Sequence, residues 1–562
     1  MLSSKKTKIT LLLTILFSSL LLSVTMFRNG LSYNFGLGFW GPNGHDGIWH
    51  LSVINQLKQN FPPQNPVFAG ETLSNYHWGF NLIVALISKF TTINSSVLYF
   101  QILPIIFSII LGFLSYKLAY LLTRNSPISI LFVILNYFSS SLGWIVTLFK
   151  SGQIGGESLF WSMQSASTLL NPPYALSLII LFSGLILWLK YHNSNSAKWG
   201  IIIGIFLGLL SFIKVYSAIL IGLSLSIYWL IDLVRNKKFS AFNFSICISM
   251  GLVSFLLLKI LGVLDNVSLM EFKPFWFTHS LIESIDKFYW PRLASFRYNQ
   301  TNFIVSIIIE LFLIFLFLVG NLGLKILGLV NYFINLFNKK FKDFDLLMLP
   351  FLAISFLIPM LFVQKGTAWN TIQFFYYFSL IINFYFATYL IKVFPKRIVF
   401  IILFIFIACF GSYGTLKDYF GNPPPASLPT SEIKALSYLS KLPTGYVLTY
   451  PYDKYLKNNF TTPIPLYMYE TTAYVSAFSQ KPVYLEDEMN LDITGFDWQY
   501  RRNQSLKFYS SSDKYFSRGF LVDNNIKYIY LLKDQKFVLS ESDLEIDKIY
   551  DSDGVRIFSV RR

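Results

Sequence analysis

One polar segment between two hydrophobic stretches holds most of the side chains in this chain that could do acid–base chemistry. It runs from residue 43 to residue 78 and reads NGHDGIWHLSVINQLKQNFPPQNPVFAGETLSNYHW. Three of the chain's five histidines and two acidic residues lie in it: His45, His50, His77, Asp46 and Glu71. Because Pro and Gly punctuate the segment, it is unsuited to a buried core. It predicts a reactive site at a membrane surface.

Asp46 is the predicted catalytic residue of this segment. If HDGIWHLSVINQL forms a short helix lying on the membrane, Asp46 and His50 are four residues apart and share a face. A carboxylate that lipid and Trp49 partly desolvate can accept a proton from a sugar hydroxyl. His45 and His50 are then expected to contact the substrate.

The same residues also fit a helix cap or a metal site. Asp46 can simply cap a helix that begins at Gly47, as Asp often does. Alternatively, the cluster binds zinc through nitrogen and oxygen ligands, which would be His45, Asp46, His50 and His77. The spacing matches no established zinc motif, and no D-x-D or E-x-D sequence occurs here. We therefore expect no cofactor; a divalent metal is an alternative that the spacing does not favour.

Further substrate-binding residues are predicted beside apolar stretches. Tyr76 and His77 offer rings on which sugars can stack, although an interfacial aromatic belt gives the same pattern. Lys214 interrupts the 35-residue apolar run 199–233, which is too long for one helix, so a break is expected there. A fixed cation at a membrane edge can hold a lipid-linked phosphate. The alternative is a lysine that only reaches to the surface at a helix end.

Other polar residues beside apolar stretches are weaker candidates for substrate binding. Lys365 lies in the short loop QKGTAWNTIQ between two apolar helices, with polar side chains after it. The remaining predicted substrate-binding residues are Asn171, Arg297, Asn370 and Gln373. Glu310 lies inside the apolar run IVSIIIELFLIF without an identifiable partner, and it favours a transport function. The acidic run Glu486–Glu488 is predicted to be a solvated face.

The composition predicts the elements that carry these residues. Of 562 residues, 54% are hydrophobic and 18% aromatic, and only 13% are charged. Apolar runs of about 20 residues recur, so we expect a polytopic α-helical membrane protein with about 11 transmembrane helices. The two cysteines, Cys247 and Cys409, lie in apolar runs and predict neither a disulfide nor a metal site. The expected spans lie at 9–27, 97–122, 128–148, 174–191, 199–213, 215–233, 241–264, 302–320, 345–363, 372–393 and 398–414.

The charges orient these spans. The net charge of +17 comes from basic segments that fall on alternate sides, as cytoplasmic loops do, and it indicates no nucleic-acid partner. We expect an uncleaved first helix, a cytoplasmic N-terminus and a C-terminus outside. The segment 79–90 is too short to span and is not counted.

The composition changes at about Gly421. A linker, GNPPPASLPTSE, precedes a helix that Thr430 or Ser431 can cap. The strand-like runs GYVLTY and KYIYLL follow, and the last hairpin turns at Asp553-Gly554. We expect a transmembrane domain over 1–420, with a large first outer loop at 28–96. A small extracytoplasmic α/β or α+β domain then covers 421–562.

The topology and three local motifs resemble the C-type (GT-C) membrane glycosyltransferases. The motifs are HDGIWH, NPVFAG with the following NYHW, and WNTIQFFYY after an apolar helix. The resemblance implies a plasma-membrane enzyme that uses a polyprenyl-phosphate sugar and acts on a glycan, lipid or protein with inversion. It gives Asp46 the role of base or of the residue that positions the acceptor, and it makes Lys214 and Lys365 candidate ligands of the lipid phosphate by their position. Many relatives have a second acid beside the first, whereas this chain has His45.

One acid and a few cations suit this chemistry. A phosphate leaving group needs a cation and no protonation, whereas a glycosidase needs two carboxylates that flank the bond. Two rival functions remain: a transporter or flippase for a lipid-linked saccharide, and a non-catalytic membrane scaffold.

Overall fold

The computed structural model describes residues 5–263 and 269–561. The chain forms two compact units, each assembled from separate stretches of sequence. The first unit comprises Met1–Thr25, Pro104–Lys259 and Val267–Phe420. The second comprises Met26–Leu103, Ile260–Asn266 and Gly421–Arg562, so it contains the polar first loop as well as the C-terminal segment.

The predicted polytopic helical architecture is confirmed. In the described chain, eight helices are long and apolar enough to cross a membrane, and the number is ten if each of two bent helix pairs counts as one span. The eight are Lys5–Phe27, Ser95–Thr123, Pro172–Ser194, Val215–Asn236, Ala241–Ile260, Phe303–Phe337, Asp343–Leu361 and Ala368–Val393. The remaining predicted run, 199–213, corresponds to a shorter apolar helix that ends at Ile213.

Bends and breaks interrupt several of the apolar helices. Ser126–Phe138 and Gly143–Ser151 meet at 45°, and a Cβ on Gly143 would lie 1.9 Å from the Gly156 carbonyl oxygen. The second pair, Ile398–Cys409 and Gly411–Phe420, bends by 49°. The predicted break at Lys214 is confirmed, because this residue has an extended backbone between two helices.

The core of the first unit forms around the helix Ala368–Val393. It packs against Ile326–Phe337, Asp343–Leu361 and Ser126–Phe138. A Cβ on Gly328 would lie 2.5 Å from the Phe386 backbone nitrogen, so glycine permits this close approach. Small residues at helix contacts are typical of membrane bundles, where packing replaces the hydrophobic effect. The other elements of this unit are the helices Ala197–Gly208, Leu210–Ile213, Trp276–Glu283 and Pro291–Tyr298, and the paired strands Met270–Phe272 and Phe362–Gln364.

The second unit contains two four-stranded sheets. The first has the strand order Ser32–Tyr33, Gly36–Phe39, Ala426–Leu428 and Ile464–Pro465, so the first loop and the C-terminal segment share a sheet. The second has the order Tyr446–Thr449, Ile526–Leu532, Val555–Val560 and Ile546–Ser552. Its last two strands form the predicted hairpin, whose turn residues Asp553 and Gly554 both have positive φ.

Short helices surround these sheets. The helix Asp46–Gln59 packs between Gly79–Thr91 and Tyr474–Ser479, and Asn55 Nδ2 donates to the Ala477 carbonyl at 2.7 Å. Residues 47–57 are buried, so the prediction that this helix lies on a membrane surface is wrong. The C-terminal helices are Thr430–Lys441, Leu466–Tyr469, Tyr474–Ser479, Glu488–Thr494, Gln499–Ser510, Lys514–Asp523 and Glu541–Leu544. The first begins after Pro429, and no side-chain cap forms there, unlike the predicted Thr430 or Ser431 cap.

Candidate active site

Asp46 is held by a buried histidine that also contacts the C-terminal segment. His45 Nδ1 lies 2.9 Å from Asp46 Oδ1, and His45 Nε2 lies 3.2 Å from Asp487 Oδ1. The side chain of His45 is 6% exposed and that of Asp487 is fully buried, whereas the side chain of Asp46 is 57% exposed. We call these three residues the His45 cluster. It presents one accessible carboxylate on a buried support.

The hydrogen bonds define the charge of this cluster. Asp487 accepts from the Asn490 backbone N–H at 3.1 Å and from Asn490 Nδ2 at 2.8 Å, as an ionised carboxylate does. Both ring nitrogens of His45 then face carboxylates and both donate, so the ring is an imidazolium. Burial alone lowers the pKa of His45, but the charge of Asp487 and the hydrogen bonds to both acids raise the pKa well above 6.5.

This geometry decides between the predicted roles of Asp46. The residue before the helix is His45, and Asp46 is the first helical residue, so the cap at Gly47 is not formed as predicted. The predicted zinc ligands contact other groups, because His45 Nε2 lies against Asp487 and His50 lies against Tyr76 and Asn81. In the described ranges, no three His, Cys, Asp or Glu side chains form a group that could hold a metal. The surroundings of Asp46 are thus those of an oriented, exposed carboxylate.

The other polar residues of the first loop form a buried network. The ring of His50 lies with its Nδ1 3.3 Å from the Tyr76 hydroxyl and 3.0 Å from Asn81 Nδ2. His77 is half-buried and stacks on Tyr76, with 5.3 Å between the ring centroids. The structure therefore brings three predicted substrate-binding residues together. His50 nevertheless faces the interior, although it lies one helical turn from the exposed Asp46.

In the first unit, the structure brings Lys214 and Asn171 together. Lys214 is 4% exposed, and its Nζ lies 3.5 Å from Asn171 Oδ1 and 5.2 Å from the ring centroid of Tyr216. Asn171 Oδ1 also accepts from the Tyr174 backbone N–H at 3.1 Å. This hydrogen bond caps the transmembrane helix that begins at Pro172. The cation is therefore fixed at a helix break, as predicted.

Three candidates lie at the start of the helix Ala368–Val393. Gln373 Nε2 donates to Asn370 Oδ1 at 3.2 Å, and the nearby ring of Phe374 lies 5.1 Å from that of Tyr216. Gln373 is buried, and its Oε1 has no hydrogen-bond partner within residues 5–263 and 269–561. Lys365 is exposed, and its backbone N–H donates to the Leu269 carbonyl at 2.8 Å. Substrate binding by these residues stays a prediction.

Arg297 belongs to a different cluster. Its Nε donates to Glu310 Oε1 at 2.8 Å, and its NH2 group donates to His279 Nδ1 at 3.1 Å. Glu310 Oε2 accepts from His279 Nε2 at 2.8 Å, so the carboxylate that lacked a partner in the sequence has two. We call these three residues the Glu310 cluster. Both oxygens of this acid are engaged within the first unit.

The sequence did not point to Asp487. The prediction that the run Glu486–Glu488 is a solvated face is wrong. Glu486 accepts from the backbone N–H groups of Val475 and Ser476 at 2.9 and 3.2 Å, and burial raises the pKa of its carboxyl well above the usual range. The available signal was three acids directly after the apolar VYL, which is an unusual start for a solvated surface.

Comparisons with known proteins find likeness in structure alone. No protein-family profile matches the sequence, and no curated protein matches it. Solved structures of the archaeal oligosaccharyltransferase AglB from Archaeoglobus fulgidus match over most of the chain. The complex with an inhibitory peptide and a dolichol-phosphate has a TM-score of 0.52 at 12% identity, over 94% of this chain and 70% of that chain.

Two further structures of the same oligosaccharyltransferase agree. The form tethered to an acceptor peptide has a TM-score of 0.51 at 12% identity, over 94% of this chain and 69% of that one. The complex with zinc and sulfate has a TM-score of 0.51 at 13% identity, over 93% and 68%. At this identity the likeness concerns the fold. The chain has the fold of an oligosaccharyltransferase, which is that of the GT-C membrane glycosyltransferases.

Proposed function

We propose that this protein is a membrane glycosyltransferase that moves a sugar from a polyprenyl-phosphate donor to an acceptor hydroxyl. The observation that carries the proposal is the exposed carboxylate of Asp46, held in place by the buried His45. The shared fold supports the same class of reaction, because the matched oligosaccharyltransferase has been solved in complex with a dolichol-phosphate and an inhibitory peptide.

The reaction needs one base and one stabilised leaving group. Asp46 accepts the proton of the acceptor hydroxyl, and the oxygen attacks the anomeric carbon of the donor sugar. The bond between that carbon and the phosphate oxygen breaks, and the phosphate leaves with the electron pair. Attack opposite the leaving group inverts the configuration at the anomeric carbon.

His45 and Asp487 orient the base. The imidazolium donates to Asp46, while Asp487 and its bonds to Asn490 fix the ring from the other side. With Asp46 ionised, the three side chains carry one net negative charge, which a transferred proton removes. Holding a reacting group in a single geometry lowers the entropic part of the barrier.

A cation must stabilise the leaving phosphate. Lys214 is the first candidate because it is fixed at a helix break beside Asn171, and Lys365 is the second. We propose that three further residues contact the substrate, and only their position supports this: Asn370, Gln373 and Arg297. We propose that the phosphate-binding cation acts at the outer side of the plasma membrane.

The orientation and the domains follow from the same proposal. We propose a cytoplasmic N-terminus, a transmembrane domain within residues 1–420, and an extracytoplasmic domain that contains residues 421–562 together with the first outer loop. The acceptor is a glycan, a lipid or a protein, and no nucleic acid takes part. The transporter alternative rested on Glu310, whose carboxylate is engaged by Arg297 and His279 and therefore gives it no support.

The proposal is tested with the full-length protein in vesicles that contain labelled polyprenyl-phosphate sugars. Asp46→Asn keeps an oxygen that can accept from His45 but removes the base, so transfer falls about 10³-fold. Asp523→Asn, an exposed acid at the end of another helix, is the matched control and keeps the parent's rate. Equal transfer by the Asp46→Asn variant and the parent would overturn the mechanism.

A further inference from the structure

A cleft of about 420 Å³ opens in the second unit, and the mechanism above does not use it. All its lining residues lie between positions 449 and 535. Five of them are tyrosines, and we call the cavity the tyrosine cleft: Tyr450, Tyr452, Tyr467, Tyr474 and Tyr530. Its volume falls in the range of about 300–1,000 Å³ that is typical of small-molecule sites.

The cleft is acidic. Lys533 is the one basic residue among those that line it, against six acids: Asp453, Glu470, Glu486, Asp487, Glu488 and Asp534. Four of these acids have partners in the fold. Glu486 accepts two backbone N–H groups, Asp487 contacts His45, and Glu488 pairs with Arg502. Asp453 accepts from the Tyr455 backbone N–H at 2.9 Å, which leaves its charge uncompensated. Asp453, Glu470 and Asp534 still outnumber Lys533, so the cleft repels anions.

One buried hydroxyl in the cleft lacks a partner. Thr472 is 3% exposed and lines the cavity, and its Oγ1 makes no hydrogen bond with any described residue. The hydroxyl of the neighbouring Thr471, by contrast, accepts from the Glu488 backbone N–H at 2.9 Å. A buried polar atom without a partner costs free energy, so Thr472 indicates a ligand that completes its hydrogen bond.

The cleft reaches the His45 cluster. Asp487 lines the cleft and contacts His45 Nε2, so one imidazole ring separates this lining residue from Asp46. Tyr469 gives a second link. Burial raises its pKa to about 12, and the charges of Glu470, a lining residue, and of Asp46 both contribute. A ligand in the cleft therefore lies near the proposed base.

We propose that the tyrosine cleft binds the acceptor, and that this acceptor is a neutral or amino-bearing saccharide. The inference rests on the proposed function. Tyrosine rings stack on the C–H faces of sugars, carboxylates accept from neighbouring sugar hydroxyls, and Thr472 supplies one further polar contact. An acidic saccharide or a lipid phosphate meets repulsion from the uncompensated acids.

The test measures binding of the detergent-solubilised full-length protein, without donor, to an array of neutral, amino-bearing and acidic oligosaccharides. The parent binds neutral or amino-bearing members and leaves the acidic ones unbound. Thr472→Val removes the hydroxyl and keeps the shape, so affinity falls about tenfold while the unfolding temperature does not fall. Ser517→Ala is the matched control, because its hydroxyl is also buried and unpartnered in the described chain but lies outside the cleft lining.

Three results would overturn this assignment. They are an array on which the parent binds no neutral or amino-bearing saccharide, equal affinity of the parent and the Thr472→Val variant, and preferential binding of a lysine-rich peptide spotted on the same array. The donor is absent, so the two proposals fail separately. Saccharide binding without transfer in vesicles contradicts the glycosyltransferase proposal alone, and transfer without saccharide binding contradicts the cleft alone.

Discussion

The His45 cluster and the Glu310 cluster use the same residue types to opposite effect. Each places a histidine against a carboxylate, one in each compact unit. In the Glu310 cluster the third member is the cation Arg297, whereas in the His45 cluster it is a second acid, Asp487. The identity of that third residue determines the charge of the histidine.

The hydrogen bonds show how. Arg297 can only donate, so His279 Nδ1 accepts from it and His279 Nε2 donates to Glu310, which makes the ring neutral. His45 has a carboxylate at each nitrogen and is therefore charged. The Glu310 cluster thus balances one cation with one anion and engages both oxygens of its acid. The His45 cluster keeps one net negative charge and exposes Asp46. We call the Glu310 cluster closed, because its charges balance and its acid is fully engaged, and such a cluster stabilises a fold. We call the His45 cluster open, because it has a net charge and an exposed acid, and such a cluster can react.

Asp487→Asn tests the open cluster and has the largest expected effect of the three changes below. Without the buried carboxylate, the imidazolium loses a partner and orients Asp46 less well. We expect transfer to fall up to about 100-fold, as for other groups that orient a functional residue. The pH profile separates positioning from folding, because the alkaline limb of transfer moves to lower pH as the pKa of His45 falls. Asp492→Asn, an exposed acid on the short helix that Asp487 caps, is the control, and an unchanged pH profile in Asp487→Asn would contradict the role.

Glu310→Gln tests the closed cluster. Glutamine has one acceptor oxygen and an NH2 group that can only donate, so either His279 or Arg297 loses its acceptor and the free energy of unfolding falls by about 2 kcal/mol. Transfer per folded molecule stays at the parent's rate, since this acid has a structural role. Chemical denaturation in detergent measures the first quantity, and the vesicle assay measures the second. Glu283→Gln loses the 3.8 Å ionic contact with Arg297 but keeps an oxygen that can accept from the Tyr298 hydroxyl, so it has a smaller effect on stability. A large loss of transfer at unchanged stability would contradict the structural role of Glu310.

The smallest expected effect is a pH dependence of stability that comes from His45. Its folded-state pKa lies above 6.5, so the stabilisation is complete below about pH 6.5 and is lost as the pH rises through that folded-state value. We expect the unfolding temperature of the parent to decline by a few degrees over this range. His45→Gln removes the decline, and His77→Gln in the same unit serves as the control. The same decline in the parent and in His45→Gln would show that the ring is not charged.

Much of the fold could be predicted because its signals are local. Apolar runs of spanning length predicted the transmembrane helices, and the excess length around Lys214 predicted the break that the backbone makes there. The Asp553-Gly554 pair predicted the hairpin turn, because both residues tolerate positive φ. Asp46 stood out because acids and histidines are rare in so apolar a chain.

The contacts that hold Asp46 in place could not be predicted from local sequence signals. Asp487 follows His45 by 442 positions, and no local pattern connects two residues at such a distance. The burial of the helix Asp46–Gln59 was missed for a related reason. Its partner Tyr474–Ser479 and the strand Ala426–Leu428, which extends the sheet of the first loop, come from the other end of the chain.

The sequence by itself determined the apolar spans, the helix break at Lys214 and the presence of one acid among histidines, because each depends on neighbouring residues only. Only the tertiary structure decided that both oxygens of Glu310 are engaged while Asp46 stays exposed. That difference arises from a third side chain, Arg297 in one cluster and Asp487 in the other, and only the folded chain sets which charge stands beside each histidine.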